Sequence, residues 1–337
     1  MALNSFSPPP RGTPSCPRRE STVSGSGRDD SHPPKAVHGA VGRRSEPERT
    51  LTAMNQLNPA PSRRRFLAAA AGLAATAAGT SGVAAAATGP RPLRVATFNI
   101  HHGASPADVL DLDRVARVIQ AMRVDVVGLQ EVDRFWKRSG FVDQPAWLGE
   151  RLGMRHAFGA NLDLDPEEPG RPRRQYGTAV LSRWPIRSWA NTPLPLVPGH
   201  EQRGLLRATL DVRGACVDFA VTHLQHNDSQ ERERQSARIV ELLGSSPERT
   251  ILVGDLNATS ETPEIRTLTD VLGDVWPQAG TGDGFTYDSV NPHARIDFLL
   301  PSRDLRPLTA QVFTADPEAS DHLPVVSELL LPVRHRR

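Results

Sequence analysis

Five apolar runs in this chain end on, or lead into, an acid, an amide or an imidazole. Ile251-Leu252-Val253-Gly254 is followed by Asp255 and, two residues on, Asn257. Val95-Ala96-Thr97-Phe98 leads into Asn99, with His101 and His102 just beyond. Val126-Val127-Gly128-Leu129-Gln130 leads into Glu131, and Phe219-Ala220-Val221-Thr222 leads into His223, with His226 three positions on. Ser320-Asp321-His322 precedes the last apolar run. A sixth acid, Asp297, stands between Ile296 and Phe298, where a carboxylate among apolar neighbours needs a partner.

Taken singly, each of these is weak. Asp and Asn favour ordinary turns, and a lone Glu after a strand is most often a surface residue. Six together, each at the end of or inside a buried-type strand, point to one site. An Asp there can hold a cation or orient a water, and an Asn adds a neutral donor for developing negative charge. Carboxylates and amide oxygens without thiolates favour a hard cation, Mg²⁺ or Mn²⁺, over zinc. The usual client of such an ion is a phosphate ester.

The elements that must position these groups are short strands with few helices. Strand-like runs cover 93–100, 124–129, 178–181, 205–212, 216–222, 250–253, 295–300 and 323–331. Three helices are expected. Asp111 caps one whose Leu112, Val115, Ile119 and Met122 share a face, and Asp228 with Glu231 forms a capping box before a second. Thr262-Pro263 starts a third, with Gly273 as its stop. Residues 163–175 are charged and Pro-rich, hence a loop. Many strands without strict strand–helix alternation imply an α+β fold, sheet packed on sheet with helices outside.

The first 53 of the 337 residues are rich in Pro, Ser, Gly and Arg and read as disordered or as a mis-assigned extension ahead of a start at Met54. Residues 54–87 have the layout of a twin-arginine export signal: Arg63-Arg64-Arg65, an Ala/Gly-rich stretch, then Ala85-Ala86-Ala87 for a peptidase. Ala and Gly contribute too little transfer energy for a membrane anchor. Residues 88–337 form the catalytic domain on this reading. The chain is formally +2, but residues 1–87 carry +6 and the remainder −4. The expected exported domain is thus mildly acidic, which argues against strong bulk affinity for nucleic acid. It keeps one cysteine, Cys216, expected as a small core residue.

Thr97-Phe98-Asn99-Ile100, Leu129-Gln130-Glu131-Val132, Tyr176-Gly177-Thr178, Thr222-His223-Leu224, Gly254-Asp255-Leu256-Asn257, Arg295-Ile296-Asp297-Phe298 and Ser320-Asp321-His322-Leu323-Pro324 occur in one order along residues 92–332. In motif and order this stretch resembles the endonuclease/exonuclease/phosphatase superfamily. The resemblance implies a DNase I-like, four-layer α/β/β/α sandwich with the active site at one edge. It implies Glu131, Asn99 and Asp321 at a Mg²⁺ or Mn²⁺ ion. Asp297 would orient His322 toward the attacking water, Asp255 and Asn257 would hold the nucleophile, and His223 would donate to the phosphate or protonate the leaving oxygen. His101 replaces an acid found in some members, and is read either as a substrate-side imidazole or as a loop histidine. Tyr176 is a further substrate contact. Arg203, in Glu201-Gln202-Arg203-Gly204, is read either as a phosphate clamp or as a surface arginine. The expected protein is an exported, monomeric phosphoesterase, a phosphodiesterase ahead of a monoesterase, whose partners are a phosphate-ester substrate and, transiently, the export machinery. A secreted nuclease, a sphingomyelinase- or phospholipase C-like enzyme and a non-catalytic binding module are the alternatives.

Overall fold

The computed structural model describes residues 92–332, so the extension and export signal expected over 1–87 lie outside the described residues. Six strands, β1 (Leu93–Asn99), β2 (Val126–Arg134), β3 (Arg155–Leu164), β4 (Arg174–Ser182), β10 (Arg306–Val312) and β11 (Val325–Leu330), form one sheet in the order β10-β11-β1-β2-β4-β3. The other sheet has the order β5-β6-β7-β8-β9, from β5 (Ile186–Pro193), β6 (Gly204–Val212), β7 (Ala215–His223), β8 (Thr250–Asp255) and β9 (Asp297–Pro301). Each sheet has a parallel pair at its heart, β1 with β2 and β7 with β8.

Strand alternation sorts the apolar side chains into three layers, and hence the elements into four. Val95, Val126, Val180, Phe219, Val221, Ile251, Val253 and Leu299 meet between the sheets. The opposite parity of the first sheet, Ala96, Phe98, Val127, Leu129 and Leu181, packs under helices α1 (Leu112–Met122) and α2 (Gln144–Leu152). Leu205, Ala220, Leu252, Phe298 and Leu300 of the second sheet pack under α3 (Ser229–Leu243) and α4 (Pro263–Thr269). A short α5 (Val275–Ala279) follows. The sheets approach closely at Gly128: a Cβ there would lie 2.4 Å from Val253 Cγ2 and 2.8 Å from Val221 Cγ2. No helix of the described residues is long and apolar enough to cross a membrane.

The sequence-expected elements differ from the structure in instructive ways. Asp111 caps α1 by accepting from Arg114 N–H at 2.8 Å. Asp228 caps α3 through Glu231 N–H, but Glu231 does not complete a capping box; its carboxylate is buried against His200 and Gln235. The helix begun at Thr262-Pro263 stops at Thr269, before Gly273. The loop expected over 163–175 is narrower, because β3 runs to Leu164 and β4 starts at Arg174. Cys216, on β7, is half-buried rather than a core residue.

Candidate active site

The parallel pairs bring two strand ends of each sheet to one edge of the sandwich. On β7, β8 and β9 the register then aligns three polar residues side by side: His223 opposite Asp255, and Asp255 opposite Asp297. All three share the parity of Val221, Val253 and Leu299, so their side chains continue the line of the inter-sheet core. Asn99 on β1 extends the parity of Val95 and faces them from the other sheet; its Nδ2 donates to Asp255 Oδ2 at 3.0 Å.

Glu131 reaches the same edge by a different device. Gln130 and Glu131 together oppose Thr178, a bulge in the β2–β4 pairing, and Glu131 has a left-handed φ of 58°. A bulge re-aims a side chain that strict alternation would send under the helices. Glu131 Oε1 accepts from Asn99 Nδ2 at 3.0 Å, so one amide group spans Glu131 and Asp255. Asn99 Oδ1 accepts from His101 N–H at 3.1 Å, which fixes the amide's orientation.

Asp255 is the hub. It is buried, its Oδ1 accepts from Asn257 N–H at 3.0 Å, and its Oδ2 lies 3.4 Å from His223 Nε2 and 3.5 Å from His322 Nε2. Burial pushes its carboxyl up to about 7, against the pull of His322. His322 Nδ1 sits 2.8 Å from Asp297 Oδ2. Burial opposes a charge on His322, but Asp297 and Asp255 outweigh it and raise the imidazole to about 10. His223 goes the other way: burial and then Arg203 hold it well below the usual histidine range. Arg203 Nη1, 3.0 Å from His223 Nδ1, can only donate, so that nitrogen accepts and Nε2 carries the proton toward Asp255.

These groups floor a cavity of about 380 Å³ lined also by Glu131, Tyr176, Glu201, Arg203, His226, Tyr287, Ile296 and Asp321. Ten of the eleven sequence-predicted residues thus converge on one edge. Of these, Asn99 and Asp297 lie buried beneath the lining and bond to residues of it. His101 is the exception: its ring turns to Ser105 O at 3.3 Å and lies edge-on to His102, and it does not line the cavity. Arg203 is not a surface arginine: it is 3% exposed, lines the cavity and pairs with Glu201 at 2.8 Å. Sequence reasoning does not reach Tyr287, whose ring packs 4.9 Å from that of His322; it comes from an irregular loop with no period to read. Asn257 Nδ2 is bonded to Leu224 O and lies 3.0 Å from His223 Nε2.

Residues 96–322 match the Endonuclease/Exonuclease/phosphatase family. The chain belongs to that family. Its fold is similar to a solved endonuclease/exonuclease/phosphatase from Beutenbergia cavernae, with 29% identity, a TM-score of 0.61 and 72% of each chain covered. The human Nocturnin catalytic domain shares the fold at a TM-score of 0.54 and 19% identity, over 72% of this chain and 95% of that one. Among curated proteins, cwh43 of Schizosaccharomyces pombe is 30% identical over 183 residues, 53% of this chain but only 18% of that protein. YbhP of Escherichia coli is 24% identical over 71% of this chain and 96% of its own. Family members are hydrolases of phosphoester bonds.

The donor set fits a hard divalent cation. Glu131, Glu201, Asp255 and Asp321 line the cavity, and Arg203, already paired with Glu201, is the one permanent cation among the described lining residues. One carboxylate oxygen of Asp297, Oδ1, is buried without a hydrogen-bond partner. No thiolate is present in the lining, so oxygen ligation is what the site offers.

Proposed function

We propose that this protein is an exported, Mg²⁺- or Mn²⁺-dependent phosphodiesterase that hydrolyses its substrate by in-line attack of water on phosphorus. The observation that carries the reading is the position of Asp255, within hydrogen-bond reach of Asn99 and Asn257 and 3.4–3.5 Å from two imidazoles of opposite charge preference. Glu131 and Asp321 would hold the cation, which when bound would offset negative charge developing on the phosphoryl oxygens.

Asp255, raised to about 7, suits a group that takes a proton from water near neutral pH. His322 stays protonated, and its Nε2–H is a donor for a phosphoryl oxygen. His223, held neutral by burial and Arg203, donates a hydrogen bond through Nε2; of its two expected roles this favours donation over protonation of the leaving group. The excess of carboxylates favours a singly charged diester over a doubly charged monoester. The −4 charge outside residues 1–87 supports a substrate other than bulk nucleic acid. Export rests on Arg63-Arg64-Arg65 and the Ala-rich stretch after it, and a monomer acting on a phosphate-ester substrate is the assembly we expect.

A second reading, a lipid phosphodiester, is favoured by the loop beside His322. Phe285, Tyr287 and Val290 there are 38%, 37% and 60% exposed. A turnover panel decides between them: bis-(4-nitrophenyl) phosphate, 4-nitrophenyl phosphate, plasmid DNA, RNA and sphingomyelin vesicles, each with Mn²⁺ and with a chelator. Hydrolysis that survives the chelator would remove the metal reading. Glu131→Gln is expected to lower kcat about a thousandfold or more, and a loss of about tenfold or less would overturn its role.

A further inference from the structure

Asp133 lies two residues beyond Glu131 on the same strand, and its side chain is completely buried. A carboxylate in such a place needs a strong partner. It has one in Arg138, from the turn that follows: Nε donates to Oδ2 and Nη2 to Oδ1, both at 2.8 Å. This two-pronged pair fixes the plane of the guanidinium. The backbone N–H of Asp133 is held in turn by Gln144 Oε1 at 2.9 Å, and buried Gln144 donates to His102 O at 2.6 Å. The guanidinium carbon lies 4.8 Å from the Trp136 ring centre and 5.4 Å from that of Tyr176.

The result is a fixed cation that does not line the cavity but stands over Tyr176, which does. Its side chain is 43% exposed, unlike the buried carboxylate that holds it. Asp133 engages Nε and Nη2 and leaves Nη1 outside the pair. A buried acid behind it and aromatic faces beside it remove its rotamer freedom in advance, which is how a binding cation is preorganised.

Resting on the phosphodiesterase reading, we infer that Arg138 is a specificity-determining residue that holds a second anionic group of the substrate, beyond the phosphodiester seated over Asp255. Its position outside the cavity floor separates it from the reacting phosphorus, so it selects among substrates rather than driving the chemistry. The favoured class is a phosphodiester that carries another phosphate or a carboxylate on one of its alcohol groups.

The test compares Arg138→Ala with the unaltered chain on two matched dinucleotides, TpT and its 5′-phosphorylated form pTpT, with Mn²⁺. The pTpT-to-TpT ratio of kcat/KM is expected to fall about tenfold or more, through KM for pTpT. A ratio that stays within about twofold, with both substrates equally affected, overturns the inference and makes Arg138 a support for Glu131. Arg138→Gln, uncharged but able to bond Asp133, gives the same comparison if the alanine variant does not fold. Where neither dinucleotide is turned over, the phosphodiesterase reading is judged by the turnover panel above and a binding measurement judges Arg138 alone. By calorimetry with Mg²⁺, the preference for pyrophosphate over orthophosphate is expected to fall about tenfold in the variant; an unchanged preference overturns the inference.

Discussion

Removing the carboxylate behind His322 should erase a large pH dependence of stability. His322 is buried, with Asp297 Oδ2 2.8 Å from Nδ1, and its imidazole is raised from 6.5 to about 10. A histidine raised in this way stabilises the fold fully below its unfolded value and loses that contribution as pH climbs toward the folded one. The window therefore runs from about pH 6.5 to 10. At about 1.4 kcal/mol per pH unit, the chelator-treated protein should lose roughly 3–4 kcal/mol between pH 6.5 and 9.5. Asp255, raised to about 7, adds a smaller loss of the same sign at the low end of that window. In Asp297→Asn the burial of the ring remains and its main counter-charge is gone, so His322 should be neutral across the window and the slope should flatten. Urea midpoints at four or five pH values in both proteins measure this directly. If Asp297→Asn keeps a slope within about 1 kcal/mol of the parent's, Asp297 does not hold the charge on His322 and the assignment of its protonated form fails.

Two further substitutions test the packing and the opposite histidine. Gly128→Ala places a methyl group 2.4 Å from Val253 Cγ2, and overpacking of this kind should cost about 1–3 kcal/mol by chemical denaturation; a neutral effect would mean the sheets part easily there. Arg203→Met removes the guanidinium from His223 Nδ1, so the imidazole should titrate closer to 6.5 by NMR and kcat should fall; an unmoved titration would refute the electrostatic role of Arg203.

The residues of the site were more legible than the scaffold. Apolar strands delivering Asn99, Glu131, His223 and Asp255 are readable because a buried strand announces itself, and its polar terminus stands out against it. The strands that escaped, β3, β5 and β10, are three of the four edge strands of the two sheets. These three expose much of their length and so lack the apolar run that marks the others: β5 has no buried residue at all, whereas β9, the fourth edge, is buried throughout and readable. Helix α2 escaped because only Trp147, Leu148 and Leu152 give it an apolar face, although Asp143 and Gly153 cap it in the usual way. Arg203 escaped in its true role because no local pattern tells a buried arginine from a surface one. Its burial follows from strand order, which places β6 beside β7 and His223.

Strand order also explains how two histidines around one aspartate come to differ. His223 and His322 lie almost equally far from Asp255 Oδ2, at 3.4 and 3.5 Å, and both are buried. Distance to the shared acid therefore cannot set their charge. What differs is the group behind each ring. β9 puts Asp297 behind His322, and the segment before β6 puts Arg203 behind His223. A carboxylate there stabilises the imidazolium and a guanidinium forbids it. With one charged and one neutral imidazole, Asp255 has a cation on one side only, and burial can lift its carboxyl toward neutral pH instead of two cations pinning it low. Had both rings been charged, Asp255 would be too weak a base for the work proposed here. The buried arginine is thus as much a part of the acid–base design as the residues that face the substrate.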